Sequence, residues 1–170
     1  MDMRLDSLLK DYAEFNLWAN SKMVAWLREK PLALLRQEIP SSFPSLEKTL
    51  LHICDGETVW LERLNKRKIT EFPSTHFKGT EEEVFTRLMT SSQKFRDHVF
   101  LLEEADFSSA CEYLQFNGEH YSTPVGEIIQ HCMNHGTFHR GQLVTMGRSL
   151  GLTDPPKTDF IHYLREEAKG

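Results

Sequence analysis

Three histidines recur every four residues in the stretch His131-Cys132-Met133-Asn134-His135-Gly136-Thr137-Phe138-His139-Arg140-Gly141-Gln142. On a helix, residues four apart share a face, so each adjacent pair can turn its rings toward one point. Two imidazoles placed this way form the helical half of a divalent transition-metal site. All three cannot hold the same ion. His131 and His139 stand eight positions apart, roughly 12 Å along a helix axis. Two nitrogens on one zinc must lie within about 4 Å of each other, because each bond is about 2 Å. The ion therefore takes His131 with His135, or His135 with His139, and spacing does not choose between them.

A third ligand has to come from another helix. His52 is the foremost candidate, because it sits in the otherwise apolar run Leu50-Leu51-His52-Ile53-Cys54. An imidazole buried there without partners forfeits hydrogen bonds worth about 1–3 kcal/mol, and coordination would account for it. A single histidine on an apolar face is more often a core residue with a satisfied hydrogen bond; it is the combination with the histidine repeat that points to a metal. His76, His98, His120 and His162 are weaker candidates, set among polar or charged neighbours. Three neutral imidazoles leave a dication a position for water or substrate, as in catalytic rather than structural zinc sites. Bound water could then deprotonate near neutral pH, or the ion could activate a thiolate or polarise a carbonyl. Zinc and nickel suit such a site, with iron and manganese as alternatives, because imidazole serves several of these ions.

The elements that must position these rings read as helices. Apolar residues Leu5, Leu8, Leu9, Tyr12, Phe15, Ala19, Met23, Trp26 and Leu27 step by three and four from about Arg4 to Glu29, and Pro31 stops the pattern. Ser45 N-caps a second helix from about Leu46 to Asn65, which carries His52. Thr80 with Glu83 forms a capping box for a third, Glu81 to about Leu102. Asn117-Gly118 between β-formers predicts a hairpin spanning Tyr113 to Tyr121. Thr123 is expected to cap a fourth long helix from Pro124 to about Leu150, closed by Gly151. A short last helix follows from Asp159 to Glu167. Four long helices predict an all-α chain: an antiparallel four-helix bundle, residues 1–170 in one domain, with the hairpin inserted before the last long helix.

Composition narrows the function classes. The chain has 170 residues, 39% hydrophobic and 26% charged, values near globular averages. No apolar run reaches the ~18 residues that would span a bilayer. The acidic start Met1-Asp2-Met3-Arg4-Leu5-Asp6 does not read as a secretory signal. Cys54, Cys111 and Cys132 are odd in number and form no CxxC, which fits reduced thiols in the cytoplasm. A formal charge of −5 without a dense basic patch argues against a nucleic-acid partner.

The chain also resembles the DinB/YfiT-like family of small metalloenzymes over nearly its whole length. Tyr12 to Asn20 matches the family's Tyr…Asn-x-Trp-Ala-Asn pattern, and Leu51-His52-Ile53 with Glu57 and Trp60-Leu61 matches its Leu-x-His-Ile…Glu-x-x-Trp segment. Asn134-His135 through His139-Arg140-Gly141-Gln142 matches its Asn-His-x-x-x-His-Arg-Gly-Gln signature, and Asp159 to Arg165 matches its tail. The resemblance implies a four-helix bundle, often dimeric, with metal ligands His52, His135 and His139. It leaves His131 off the ion, in the core or hydrogen-bonded nearby. Characterised relatives include bacillithiol-using thiol S-transferases and mycothiol-dependent isomerases.

Neighbouring residues have their own expectations. Tyr12, Asn16 and Trp18 could line the mouth of the site or be plain core. Asn134 and Asp159 could orient the imidazoles, as groups behind a metal's ligands commonly do. Arg140 points about 100° away from His139 and is expected in a helix or dimer salt bridge, with Gly141 allowing close helix packing. Cys54 or Cys132 could approach the ion. Two functions compete. One is an enzyme, a thiol S-transferase or related hydrolase or isomerase, acting on a small-molecule substrate and forming a homodimer. The other is a non-catalytic stress-response module whose metal staples the bundle; it predicts a closed site, with a fourth protein ligand or no pocket, where the enzyme predicts an open coordination position facing a pocket.

Overall fold

A computed structural model describes residues 5–167; the start of the first helix expected at Arg4, and most of the acidic N-terminal segment, lie outside them. Four long helices dominate: α1 (Leu5–Arg28), α2 (Leu46–Leu64), α3 (Glu81–Leu101) and α5 (Val125–Ser149). Between α3 and α5 come a five-residue helix, α4 (Glu104–Ser108), and the strands β1 (Ala110–Leu114) and β2 (His120–Pro124). A 3-10 turn, Leu32–Arg36, follows α1, and α6 (Phe160–Glu167) closes the described chain. The 3-10 turn and α4 are too short to show a period in the sequence.

Local chemistry sets most boundaries. The Ser45 hydroxyl accepts from the Lys48 amide at 3.1 Å, capping α2. At α3 the Thr80 amide donates to Glu83 at 2.6 Å while the Glu83 amide donates back to the Thr80 hydroxyl at 3.3 Å. At the end of α5, Gly151 takes φ +80° and the Leu152 amide returns to the Gly147 carbonyl at 2.9 Å.

One cap differs from expectation. Thr123 does not cap α5, and Pro124 is not its first turn. Both belong to β2, where Thr123 pairs with Cys111 and Pro124 with Ala110. The ladder holds their backbone extended, and the Thr123 hydroxyl is taken by the Tyr113 hydroxyl at 3.2 Å. The helix begins one residue later, at Val125.

The four long helices form a bundle in which α1 and α2 each pack between α3 and α5. Cross-helix partners give the directions. Arg28 pairs with Glu82, and Glu14 with Arg96, so α1 and α3 run antiparallel. Thr49 meets Met146 while His52 meets His135, so α2 and α5 are antiparallel too. The other two neighbours are parallel: Cys54 and Glu57 of α2 reach Arg87 and Ser91 of α3, and Asn16 and Trp26 of α1 reach Arg140 and Thr153 at and beyond α5. A parallel neighbour needs a connector that returns along the bundle. Residues 65–80 can do this, since an extended chain covers about 3.3 Å per residue and a helix only about 1.5 Å.

Most of the core lies in two apolar halves, with Phe15, Ala19 and Tyr163 forming a smaller third cluster. One holds Met23, Leu27, Leu50, Phe85, Leu88 and Leu143; the other holds Leu9, Phe95, Val99, Ile128 and Met133. Between them lies a buried polar layer to which all four long helices contribute. The Glu57 carboxylate accepts from the side-chain amides of Asn16 (2.7 Å) and Asn20 (3.0 Å) and from the hydroxyls of Ser91 (2.6 Å) and Ser92 (2.9 Å). The carbonyl oxygens of the same asparagines accept from Arg140 at 2.7 and 2.9 Å. Each asparagine thus bridges a buried carboxylate and a buried guanidinium. Burial pushes the Glu57 carboxyl up from the usual carboxylate range and lowers Arg140 to about 10, while their mutual attraction opposes both shifts. Among the described residues, no helix is long and apolar enough to cross a membrane.

Candidate metal centre

The α2–α5 seam carries the histidines. His52 projects from α2, and His135 and His139 project from successive turns of α5; their ligating nitrogens all lie within 4.8 Å of one another. The Nε2 atoms of His52 and His135 are 2.9 Å apart. Two nitrogens about 2.0–2.1 Å from a zinc stand roughly 3.0–3.4 Å apart, so small side-chain shifts would suffice to hold one ion. His139 Nδ1 lies 2.7 Å from Gln142 Oε1. That oxygen can only accept, so Nδ1 carries the proton and Nε2 keeps the lone pair. A set of three imidazoles with no carboxylate fits a borderline ion such as zinc or nickel better than magnesium or calcium.

Burial prepares these rings as ligands. His139 is buried, and His52 and His135 are half-buried. Desolvation, reinforced by repulsion from His139, lowers His52 to about 4. Desolvation and the neighbouring imidazoles lower His135 to about 3. Burial also lowers His139, against the Gln142 contact that raises it. At neutral pH the lone pairs therefore face no competing proton.

Two aromatic residues from connectors wall the cluster. Phe43, just before α2, stacks on the His52 ring at 3.8 Å between centroids and meets His139 edge-on at 5.6 Å. Phe72, from the 65–80 connector, meets His52 edge-on at 6.4 Å. On α2, Gly56 lies beneath His135, where a Cβ would come within 2.8 Å of the ring. Sequence reasoning missed Phe43, Phe72, Gly56 and the part played by Gln142. Gln142 offered a signal, because it stands three residues after His139 on the same helix face.

The structure brings His52, His135 and His139 together and leaves the other candidates outside. His131 is exposed rather than in the core, with its ring 5.4 Å from Trp60 and 6.0 Å from His135. Asn134 is exposed and Asp159 sits at the start of α6, where its carbonyl accepts from the His162 amide at 2.9 Å. Neither is placed to orient an imidazole. Tyr12 packs on Phe15 and Phe160, away from the cluster. Asn16 belongs to the buried polar layer, and Trp18 donates to Glu166 at 3.1 Å. Cys54 turns toward α3, where its thiol meets the Arg87 carbonyl, and the Cys132 thiol is buried and pushed well up by desolvation. Among the described residues Arg140 makes no direct salt bridge; it is buried against the asparagines of α1 because its place on α5 faces that helix. Gly141 has open space where a Cβ would be, so close packing does not require it.

Comparison with known proteins agrees with this architecture. Protein DinB of Bacillus subtilis (strain 168) is 30% identical over 161 residues, which cover 89% of this chain and 90% of that protein. A DinB-like protein from Bacillus cereus ATCC 10987 has the same fold, with a TM-score of 0.66 and 19% identity over 85% of this chain and 91% of its own. A conserved protein from Enterococcus faecalis superposes with a TM-score of 0.62 at 12% identity, covering 86% of this chain and 97% of its own. The sequence profile of the DinB family matches residues 3–169. On this match, and on a bundle that gathers the signature histidines at one seam, the chain belongs to the DinB family.

Proposed function

We propose that this protein is a metal-dependent enzyme that activates a low-molecular-weight thiol for transfer to a small electrophile, with a hydrolase or isomerase using the same centre as the related possibility. One observation carries the reading. Three imidazoles from two helices converge, each held neutral, and among the described residues no fourth histidine, cysteine or carboxylate joins the group. A metal that only stapled the bundle would be expected to have its coordination closed by a fourth protein ligand. Bound there, a divalent ion would supply Lewis acidity, drawing a thiol or water toward its anion near neutral pH. The chain's own residues would do the rest. His52, His135 and His139 would hold the ion, Gln142 would fix the tautomer of His139, and Phe43 and Phe72 would exclude bulk water from one side. The reading includes a homodimer, as the family resemblance implies, and a cytoplasmic setting, which the three cysteines without a CxxC fit.

The test is to load metal-free protein with zinc, nickel and manganese and assay conjugation of a model electrophile with several thiols. Conjugation that requires the metal and is lost in His139→Ala supports the enzyme. Metal content that falls in His139→Ala while no thiol ever reacts favours the staple.

A further inference from the structure

A cavity of about 810 Å³ opens where the C-terminal end of α2, the start of the 65–80 connector and the hairpin meet. Arg63 lies on its wall and is 5% exposed. Its guanidinium sits 4.6 Å from the Trp60 ring centre, 4.9 Å from Tyr113 and 5.6 Å from Phe116. Its hydrogen bonds go to neutral oxygens, the Leu114 carbonyl at 3.3 Å and Gln115 Oε1 at 3.1 Å. Both are made by Nη2, and among the described residues Nε is buried with no hydrogen-bond partner. Burial pushes the Arg63 pKa down, and only Tyr113 and Cys111 offset it. A buried cation without a facing carboxylate is costly to keep, which makes it a functional signal.

Lys66 supplies an independent observation. The α2 helix ends with the Lys66 amide on the Arg63 carbonyl (2.9 Å) and the Arg67 amide on the Glu62 carbonyl (2.8 Å). This is the helix ending that usually places glycine in the left-handed region. Here that position is Lys66, at φ +58°, a conformation a side chain strains to adopt. The strained residue lines the same cavity as Arg63, together with Lys68. Glu112, the one acid among the described residues of the wall, faces His120 at 3.5 Å. Ile69, Leu114 and Phe116 make the remaining surface mainly apolar.

We propose that this cavity binds an organic anion, a small molecule with an apolar body and a carboxylate or phosphate that meets Arg63 and Lys66. The apolar wall of Ile69, Leu114 and Phe116 takes the body, and the guanidinium and ammonium groups take the charge. The site stands independently of any metal at the histidine cluster.

The test uses the full chain, stripped of metal so that the histidines cannot capture the probe. Phenyl phosphate is titrated by calorimetry and by amide NMR, with inorganic phosphate and benzylamine alongside. Phenyl phosphate is expected to bind, to shift the amides of residues 66–70 and 112–116, and to bind at least about fivefold more tightly than inorganic phosphate. Arg63→Gln should weaken it at least about tenfold. Lys66→Gly relieves the left-handed strain, so it should keep or raise Tm while weakening the probe at least about threefold. That variant decides the matter if Arg63→Gln does not fold. The proposal is overturned if phenyl phosphate does not bind, if benzylamine binds as well, or if Lys66→Gly combined with Lys68→Gln leaves its affinity unchanged.

Discussion

Gly56 of α2 lies so close beneath His135 of α5 that a Cβ there would stand 2.8 Å from the ring's Cε1 and 2.9 Å from its Nδ1. The two helices approach at this point, and the imidazole occupies the space a side chain would take. Glycine inside a helix costs roughly 0.5–1 kcal/mol relative to alanine, and here the bundle accepts that cost to seat the ring.

Gly56→Ala should therefore separate folding from metal binding. The backbone gains helix propensity, but His135 must swing out of line with His52 and His139. Expected is a folded helical protein, with Tm within a few degrees of wild type and zinc affinity lower by about tenfold or more. Chelator competition beside thermal unfolding checks it; an unchanged zinc affinity would show that the ring needs no such seat.

Removing ligands one at a time should give a sharp pattern. His52→Ala, His135→Ala and His139→Ala should each abolish stoichiometric zinc after dialysis. His131→Ala and Asn134→Ala, both on the exposed side of α5, should retain it. Gln142→Ala should weaken zinc by about 10–100-fold, because the His139 tautomer is then no longer fixed. Metal analysis by mass spectrometry reads all six variants.

The polar layer predicts a stability effect far from the metal. Glu57 is 3% exposed and collects four hydrogen-bond donors, and Arg140 is 2% exposed. Glu57→Ala leaves the buried guanidinium without its bridged counter-charge and should cost about 3–5 kcal/mol. Glu57→Leu combined with Arg140→Met removes both charges and should recover part of that loss. Urea unfolding of Glu57→Leu, of Arg140→Met and of the pair gives the coupling.

Acid should weaken the metal-free protein through the histidines. In the unfolded chain an imidazole titrates near 6.5, whereas folded His52 and His135 titrate at about 4 and about 3. Between these limits the unfolded state binds more protons, so stability rises with pH from about 3 to 6.5 and is lost on acidification across that window. Tm measured against pH for wild type and for His52→Gln combined with His135→Gln should differ in slope there. Parallel curves would mean that these rings are not held neutral.

Much of the scaffold was legible in the sequence, because its signals are local. The three- and four-residue steps in α1, the Ser45 cap and the Thr80–Glu83 capping box depend on residues within one or two turns of each other. The same holds for His135 and His139, whose shared face follows from helix geometry alone. Where the sequence misled, a longer-range contact overrode a local preference. Thr123 and Pro124 carry a good helix-start signal, yet pairing with β1 holds them extended.

What the sequence determined by itself is therefore the helices, the paired histidines on one of them, and an isolated imidazole in an apolar run. Tertiary structure decided which pair faces His52, that Phe43 and Phe72 close over it, and that Asn16, Asn20, Glu57 and Arg140 meet in one layer. The physical reason is chain separation. His52 and His135 are 83 residues apart and Asn16 and Arg140 are 124 apart, and only the packing of whole helices against one another fixes which of their faces meet.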